Sequence, residues 1–401
     1  MWGAFTSLVG IGFLAIGALT QTQDTQILEH IRKEYNIPGL AAARIRASRL
    51  YKDAVGVRKV DDPTKLEATD IFHLGSNTKA MTGTLIGMLV DKGCLNWDLT
   101  LPDALPELAP IMSKGYQKTT IGMLGAHRTG IQDDSLTDAA FYQKLYDPLL
   151  TPLDGRLLMI NRVLSKNPAG VPGEFFYDNT NYVILGRIIE KFVGDGASWE
   201  EITTEQLFKP LGMKCGFGTP PESSVISIDN PWGHIVNSSS DPPIPIGGPL
   251  IGRDNPPALN PAGRVHCDID SYGKFIQLHL DGFHGRPNPL KIRPETFKKL
   301  HTPYPLLPSD TLAYTYGGWG YLDGSTSPWS NGLILSHAGS NRLNYVEAIL
   351  APNLGEKGEA LITFMNVGNA IQGGTLPAGD ASVDAFAAML NGTLFPPPNK
   401  N

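Results

Sequence analysis

The chain has 401 residues, with 33 Lys plus Arg against 39 Asp plus Glu and a formal net charge of -6. Hydrophobic residues make up 41 % and charged residues 18 %, so a large core can form and global disorder is excluded. No basic surplus exists to bind a nucleic-acid backbone, and 44 Gly with 32 Pro argue against a simple helical bundle.

Residues 1–23 carry no charged side chain, and Leu8 to Leu19 is apolar and ends in small residues. That pattern reads as a secretory leader, although the usual positive start is missing. The competing reading is an uncleaved N-terminal arm. Secretion is the expectation, with a cytoplasmic location as its alternative. The sequons Asn237-Ser238-Ser239 and Asn391-Gly392-Thr393 would be usable acceptors in a secreted chain. Cys94, Cys215 and Cys267 are too few and too widely spaced for a disulfide framework or a zinc motif. They read as three thiols, with one disulfide as the open alternative.

From residue 24 onward the elements alternate. Ile27, Leu28, Ile31 and Tyr35 share one helical face behind Asp24, and Pro38-Gly39 ends that helix. Leu40 to Ile45 and Tyr51 to Val57 read as paired strands. Ser76 opens a helix whose apolar face holds Leu85, Met88 and Leu89. Residues 94–170 read as mainly helical with Pro-broken connections. Tyr182, Leu185, Ile188, Ile189 and Phe192 mark a further helix stopped by Gly194, and Ser198 with Glu201 forms a capping box. Residues 219–262 are dense in Pro, Gly, Ser and Asn, which predicts a long functional or disordered loop. Ile334 to His337, Tyr345 to Leu350 and Ala360 to Phe364 read as strands, and Val383, Phe386 and Leu390 as a closing helix. Strands at both ends with helices between predict a sheet built from the two termini around a helical insert.

Three short motifs can carry chemistry. Ser76-Asn77-Thr78-Lys79 places Ser and Lys on one helical face, where a partly desolvated Lys can take the serine proton. The spacing alone is weak evidence, since chance supplies about one match in a chain this long. Ser271-Tyr272-Gly273-Lys274 is indeed a second match, but it falls inside a helical stretch, whereas Ser76 follows a strand-like segment. Tyr177-Asp178-Asn179 is the one Tyr-x-Asn of the sequence. A phenol can pass a proton to a leaving group, and an Asn amide can orient a carbonyl; the bland alternative is a buried Tyr with Asn capping a turn. His337-Ala338-Gly339 falls on a predicted strand, yet His73-Leu74-Gly75 fits the same His-x-Gly pattern. No Gly-x-Ser-x-Gly, His-Glu-x-x-His, phosphate loop or dinucleotide fingerprint occurs. His127, His234, His266, His279 and His284 read as packing or surface residues, and no metal site is expected.

The order Ser-x-x-Lys, Tyr-x-Asn, His-x-Gly resembles the serine β-lactamase, penicillin-binding protein, D-peptidase and related esterase superfamily, in its class C and family VIII branch. Thr120 to Gly130 with its His-x-x-Gly ending, Pro172-Gly173, Leu185-Gly186, Pro210-Leu211-Gly212-Met213 and Pro261-Ala262-Gly263 extend the likeness to roughly residues 24–395. The resemblance implies an α+β fold: an antiparallel β-sheet with flanking helices (about 24–75 and 310–396) plus an inserted all-helical lobe (about 76–309), in one catalytic unit spanning 24–396. It also implies an acyl-enzyme on Ser76, proton handling by Lys79 and Tyr177, and an oxyanion hole from the backbone amides of Ser76 and Ser340. Asn179, His337 and Gly339 would bind substrate. His337 stands where β-lactamases of this branch usually have Lys, so esterase or D-peptidase-like activity is expected ahead of efficient β-lactamase activity. An acyltransferase of secondary metabolism and a non-catalytic binding protein are the rival readings. The expected partner is a small-molecule or peptide substrate, with no cofactor, no nucleic acid and no membrane partner.

Overall fold

The computed structural model describes residues 22–134, 138–220, 228–236, 241–247, 254–310, 312–325, 327–369 and 377–396. The expected leader and the Asn237 sequon lie outside the described residues; the Asn391 sequon lies on the exposed surface. The strands are β1 Gly39–Arg46, β2 Arg49–Gly56, β3 Phe72–His73, β4 Cys215–Phe217, β5 His234–Val236, β6 Ile244–Pro245, β7 Val265–Cys267, β8 Ala313–Tyr314, β9 Gly320–Leu322, β10 Ile334–Ser340, β11 Tyr345–Ala351, β12 Glu359–Met365 and β13 Val367–Asn369. The longer helices are α1 Gln23–Glu34, α2 Thr78–Asp91, α3 Pro152–Leu164, α4 Thr180–Val193, α5 Ile269–Phe283, α6 Pro294–His301 and α7 Pro377–Leu390.

The main sheet has seven antiparallel strands in the order β2-β1-β12-β11-β10-β9-β8, so the N-terminal hairpin adds to strands from the C-terminal part of the chain. Both faces are covered, and the two-residue period of a strand decides which side chain goes where. Leu40 and Ala42 of β1 join Leu28 and Ile31 of α1 and Phe386 of α7 in one core. Ala41, Ala43 and Ile45 point the other way, into a larger core with Phe72, Phe275 and Phe364. The helix α1 is capped by Thr22, which accepts from the Thr25 amide, two residues ahead of the expected Asp24.

Helices α2, α3 and α4 form most of the second lobe, where Arg156 of α3 is buried against Glu190 and Glu200. The capping box on Ser198 and Glu201 is present. The helix α5 belongs physically with the sheet, although it falls within the span expected to be helical lobe. Its Asp270 pairs with Lys52 of β2, and a methyl on Gly273 would lie 3.3 Å from Leu50. Cys215 and Cys267 form a disulfide across β4 and β7, which corrects the reading of three thiols; Cys94 is free and exposed.

The helix that starts at the nucleophile candidate is enclosed on all sides. Every residue of α2 from Thr78 to Leu89 is buried, as expected for a helix through the centre of a large core. Gly83 lets the chain pass close by: a methyl there would lie 2.3 Å from the Gly317 carbonyl. Trimming Leu85 to Ala inside this core would cost about 2–5 kcal/mol. That packing holds the first turn of α2 in place, and with it Ser76 and Lys79.

Candidate active site

Phe72 and His73 form a short strand paired with β7, and the chain then turns through Gly75 into Ser76. Gly75 has φ +53°, and a Cβ on it would lie 2.3 Å from the Ser340 amide nitrogen, so only glycine fits this turn. Ser76 itself is half-buried and Lys79 fully buried. Lys79 Nζ lies 3.1 Å from Ser76 Oγ, 2.7 Å from Asn179 Oδ1 and 2.7 Å from the Ala262 carbonyl oxygen.

That geometry assigns the hydrogens of the amine. The Asn179 and Ala262 oxygens are acceptors only, so they hold two hydrogens of the amine. In the neutral amine the remaining position is a lone pair, and it faces Ser76 Oγ. Burial favours this neutral form: it lowers the Lys79 pKa to about 7, against a smaller opposing pull from the Asp178 carboxylate.

Tyr177 forms the neighbouring wall. Lys79 Nζ sits 4.7 Å from its ring centre. Tyr177 as a residue is 38 % exposed. Desolvation raises the phenol pKa, and hydrogen bonding to Ser76 offsets part of the rise. The Tyr177 ring packs 4.4 Å from His127 and 6.1 Å from Tyr314, centre to centre. His127 is fully buried, accepts from the Asp178 amide at Nδ1, and is kept neutral by desolvation.

Asp178 is engaged by backbone amides. Its carboxylate accepts from the Asp133 and Thr180 amides, each at 2.7 Å, which ties the start of α4 to the loop after Gly130. Asn179 serves Lys79 through its side-chain oxygen, so the atom expected to orient a substrate holds the amine.

The His337 strand departs most from expectation. His337 is 7 % exposed, and both ring nitrogens are engaged, Nδ1 with the Ala338 carbonyl at 2.7 Å and Nε2 with the Tyr314 hydroxyl at 2.8 Å. The imidazole expected to meet substrate instead holds Tyr314 in place. Desolvation first, then the Lys79 charge, lowers its pKa to about 3, so it is neutral. Gly339 makes room for protein, not for ligand. A Cβ there would lie 2.1 Å from the Leu74 carbonyl and 2.8 Å from the Ser76 nitrogen. The same close approach sets the Ser76 amide nitrogen against Gly339 and the Ser340 amide nitrogen against Gly75.

The second Ser-x-x-Lys is structural. Ser271 is buried and accepts from the Lys214 amide at 2.7 Å, while Lys274 is exposed and reaches the Gly212 carbonyl. Among the described residues no group of three His, Cys, Asp or Glu could hold a metal ion. A pocket of about 570 Å³ between α6 and β9, lined by Phe283, His301 and Tyr321 among others, contains none of the site residues. Three members of the site were not found by sequence reasoning: the Ala262 carbonyl, Tyr314 and His127. Pro261-Ala262-Gly263 is visible as a pattern, but a backbone oxygen leaves no residue-type signal.

Comparison with known proteins bears on the family and the fold. The family described as Beta-lactamase matches residues 25–355. Penicillin-binding protein 4 of Amycolatopsis lactamdurans is 30 % identical over 257 residues, 63 % of this chain and 61 % of that one. Protein flp of Staphylococcus aureus (strain MW2) is 30 % identical over 202 residues, 49 % of this chain and 38 % of that one. The chain thus spans under two thirds of the length of these relatives. Among solved structures, the octameric penicillin-binding protein homologue from Pyrococcus abyssi superposes with a TM-score of 0.69 at 23 % identity, over 91 % of this chain and 76 % of that one. The D-amino acid amidase from Ochrobactrum anthropi SV3 gives 0.68 at 17 % identity, over 91 % and 98 %. With an antiparallel sheet, a helical lobe and a Ser-Lys-Tyr cluster between them, the chain belongs to the beta-lactamase family.

Proposed function

We propose that this protein is a serine hydrolase that forms an acyl-enzyme on Ser76 from an ester or amide carbonyl. The observation that carries the reading is the Lys79 amine, whose two hydrogens are held by Asn179 and Ala262 while its third position faces Ser76 Oγ at 3.1 Å. In the attack step the Ser76 oxygen forms a bond to the carbonyl carbon and its proton passes to Lys79. The carbonyl oxygen becomes an oxyanion held by the Ser76 and Ser340 amides. Collapse of that adduct expels the alcohol or amine, which takes a proton through Tyr177, whose raised pKa keeps it a phenol until needed. Water then attacks the acyl-enzyme by the same route in reverse, restoring the serine.

The His337 and Tyr314 rings beside Tyr177 favour uncharged substrates. A neutral His337 enclosed by Tyr314 and Ala338 offers no positive charge to a substrate carboxylate, unlike a Lys at that position. The relatives that include an amidase and penicillin-binding proteins support acyl transfer to Ser in general. The test is a panel of short-chain acyl esters, D-amino acid amides and a chromogenic cephalosporin. Hydrolysis of an ester or amide, with kcat/KM at least tenfold above that for the cephalosporin, is expected. Preference for the cephalosporin would overturn the esterase or amidase reading.

A further inference from the structure

We propose that His73 and Asp254 are positioning residues for the oxyanion-binding amide of Ser76, a role that rests on the reading of Ser76 as nucleophile. His73-Leu74-Gly75 lies directly before the serine. The Gly75 amide donates to His73 Nδ1 at 3.1 Å, and both groups are buried. Because Nδ1 accepts, the proton of the neutral ring sits on Nε2. His73 Nε2 lies 3.0 Å from Asp254 Oδ1, with both side chains fully buried. The approach is bent, a charge contact more than an aligned hydrogen bond, which leaves the ring nitrogen without a straight partner. The carboxylate still favours the tautomer that frees Nδ1 to accept. Arg264 in turn holds the carboxylate, with Nε at 3.0 Å and Nη2 at 2.9 Å from Oδ2.

This unit reaches the chemistry through the backbone. The Gly75 turn runs directly against β10, where a Cβ on it would lie 2.3 Å from the Ser340 nitrogen. Its orientation sets where the next amide, that of Ser76, points. Loss of the Nδ1 acceptor would orphan the buried Gly75 N–H and release that peptide. Two further links converge on Asp254. Asn341, which follows Ser340, brings Nδ2 within 3.5 Å of the same Oδ1. Arg264 lies two residues after Ala262, whose carbonyl holds Lys79. One buried carboxylate therefore connects the Ser76 side of the oxyanion hole, the Ser340 side and the segment that orients the base.

The experiment compares His73→Leu with His73→Asn in the full chain, on whichever ester or amide the wild type hydrolyses. Leu removes the acceptor. Asn restores one, because its short side-chain oxygen can accept from the amide two residues on. His73→Leu is expected to lower kcat about 100-fold with KM within about threefold, the range seen when one oxyanion donor is lost. It should weaken phenylboronic acid, which forms a tetrahedral adduct on the serine, by a similar factor. His73→Asn should stay within about tenfold of wild type by both measures. If His73→Leu does not fold, His73→Gln, whose oxygen is one methylene too far for that turn, takes its place and should show the same losses. A kcat within threefold of wild type in the acceptor-less variant, or unchanged boronate affinity, or an Asn variant as impaired as Leu, would overturn the proposal. Activity surviving in Ser76→Ala would instead overturn the nucleophile itself, so the two failures are distinguishable.

Discussion

Ser76-Asn77-Thr78-Lys79 and Ser271-Tyr272-Gly273-Lys274 share a spacing and a helical first turn, yet only one can do chemistry. At the first, the chain enters the helix from a strand through Gly75, so the serine reaches a cleft while the lysine is sealed inside. Sealing costs the ammonium its water and brings the Lys79 pKa down to about 7. At the second, Ser271 is the third residue of α5, which lies against the sheet. Ser271 is buried and consumed by the Lys214 amide, and Lys274 stays in solvent. The lesson is that a Ser-x-x-Lys becomes a catalytic pair by an inversion of burial: serine accessible, lysine dry.

The sharpest way to break this comparison is to remove each serine in turn. Ser76→Ala should lower kcat by at least about 10⁴-fold. Ser271→Ala should keep kcat within about threefold and lose about 0.5–1.5 kcal/mol of stability, because the Lys214 N–H loses its acceptor. Steady-state kinetics and chemical denaturation on both variants check this, and a catalytic loss in Ser271→Ala would undo the distinction.

The next effect concerns the partner groups. Tyr177→Phe and Lys79→Ala should each lose about 10²–10⁴-fold in kcat. If they act as one proton-handling unit, the double variant should be little worse than either alone. Multiplicative losses would show that they act independently.

A smaller effect comes from pH. The base must be neutral to accept the serine proton, so kcat/KM should fall about tenfold per unit as pH drops below about 7. His337, with its pKa at about 3, stays neutral through that range and adds nothing to it. Lys274→Met should leave the profile unchanged, and a wild-type rate flat from pH 8 to 5 would contradict the dry-lysine account. The smallest effect is expected at Tyr314→Phe, which removes the partner of His337 Nε2 beside the Tyr177 ring. A loss of about three- to tenfold in kcat with little change in KM is the expected kinetic outcome.

Much of the fold was legible because period and punctuation agree. The β1–β2 hairpin, the Gly194 stop and the Ser198 cap follow directly from alternation, Gly and Ser in the sequence. The proposed trio of Ser76, Lys79 and Tyr177 was legible because it is made of residue types in a fixed order. What the sequence hid are contacts whose signal is not a residue type. The Ala262 carbonyl is backbone, and His337 and Gly339 are read as substrate-facing until the sheet places them against Tyr314 and Leu74. His73 was visible as a second His-x-Gly, but nothing in one dimension shows that a carboxylate 181 positions later, Asp254, lies 3.0 Å away. The disulfide was hidden for the same reason: Cys215 and Cys267 are 52 residues apart and meet only because β4 and β7 pair.

If burial selects between the two serines, Ser76 and not Ser271 is the residue that becomes acylated. The most direct measurement is peptide mapping by mass spectrometry after treating the folded protein with a fluorophosphonate serine probe at pH 8. The account predicts one stoichiometric adduct on the peptide that contains Ser76, absent in Lys79→Ala on the same timescale. An adduct on the peptide that contains Ser271, or labelling of Ser76 that is indifferent to Lys79, would contradict it.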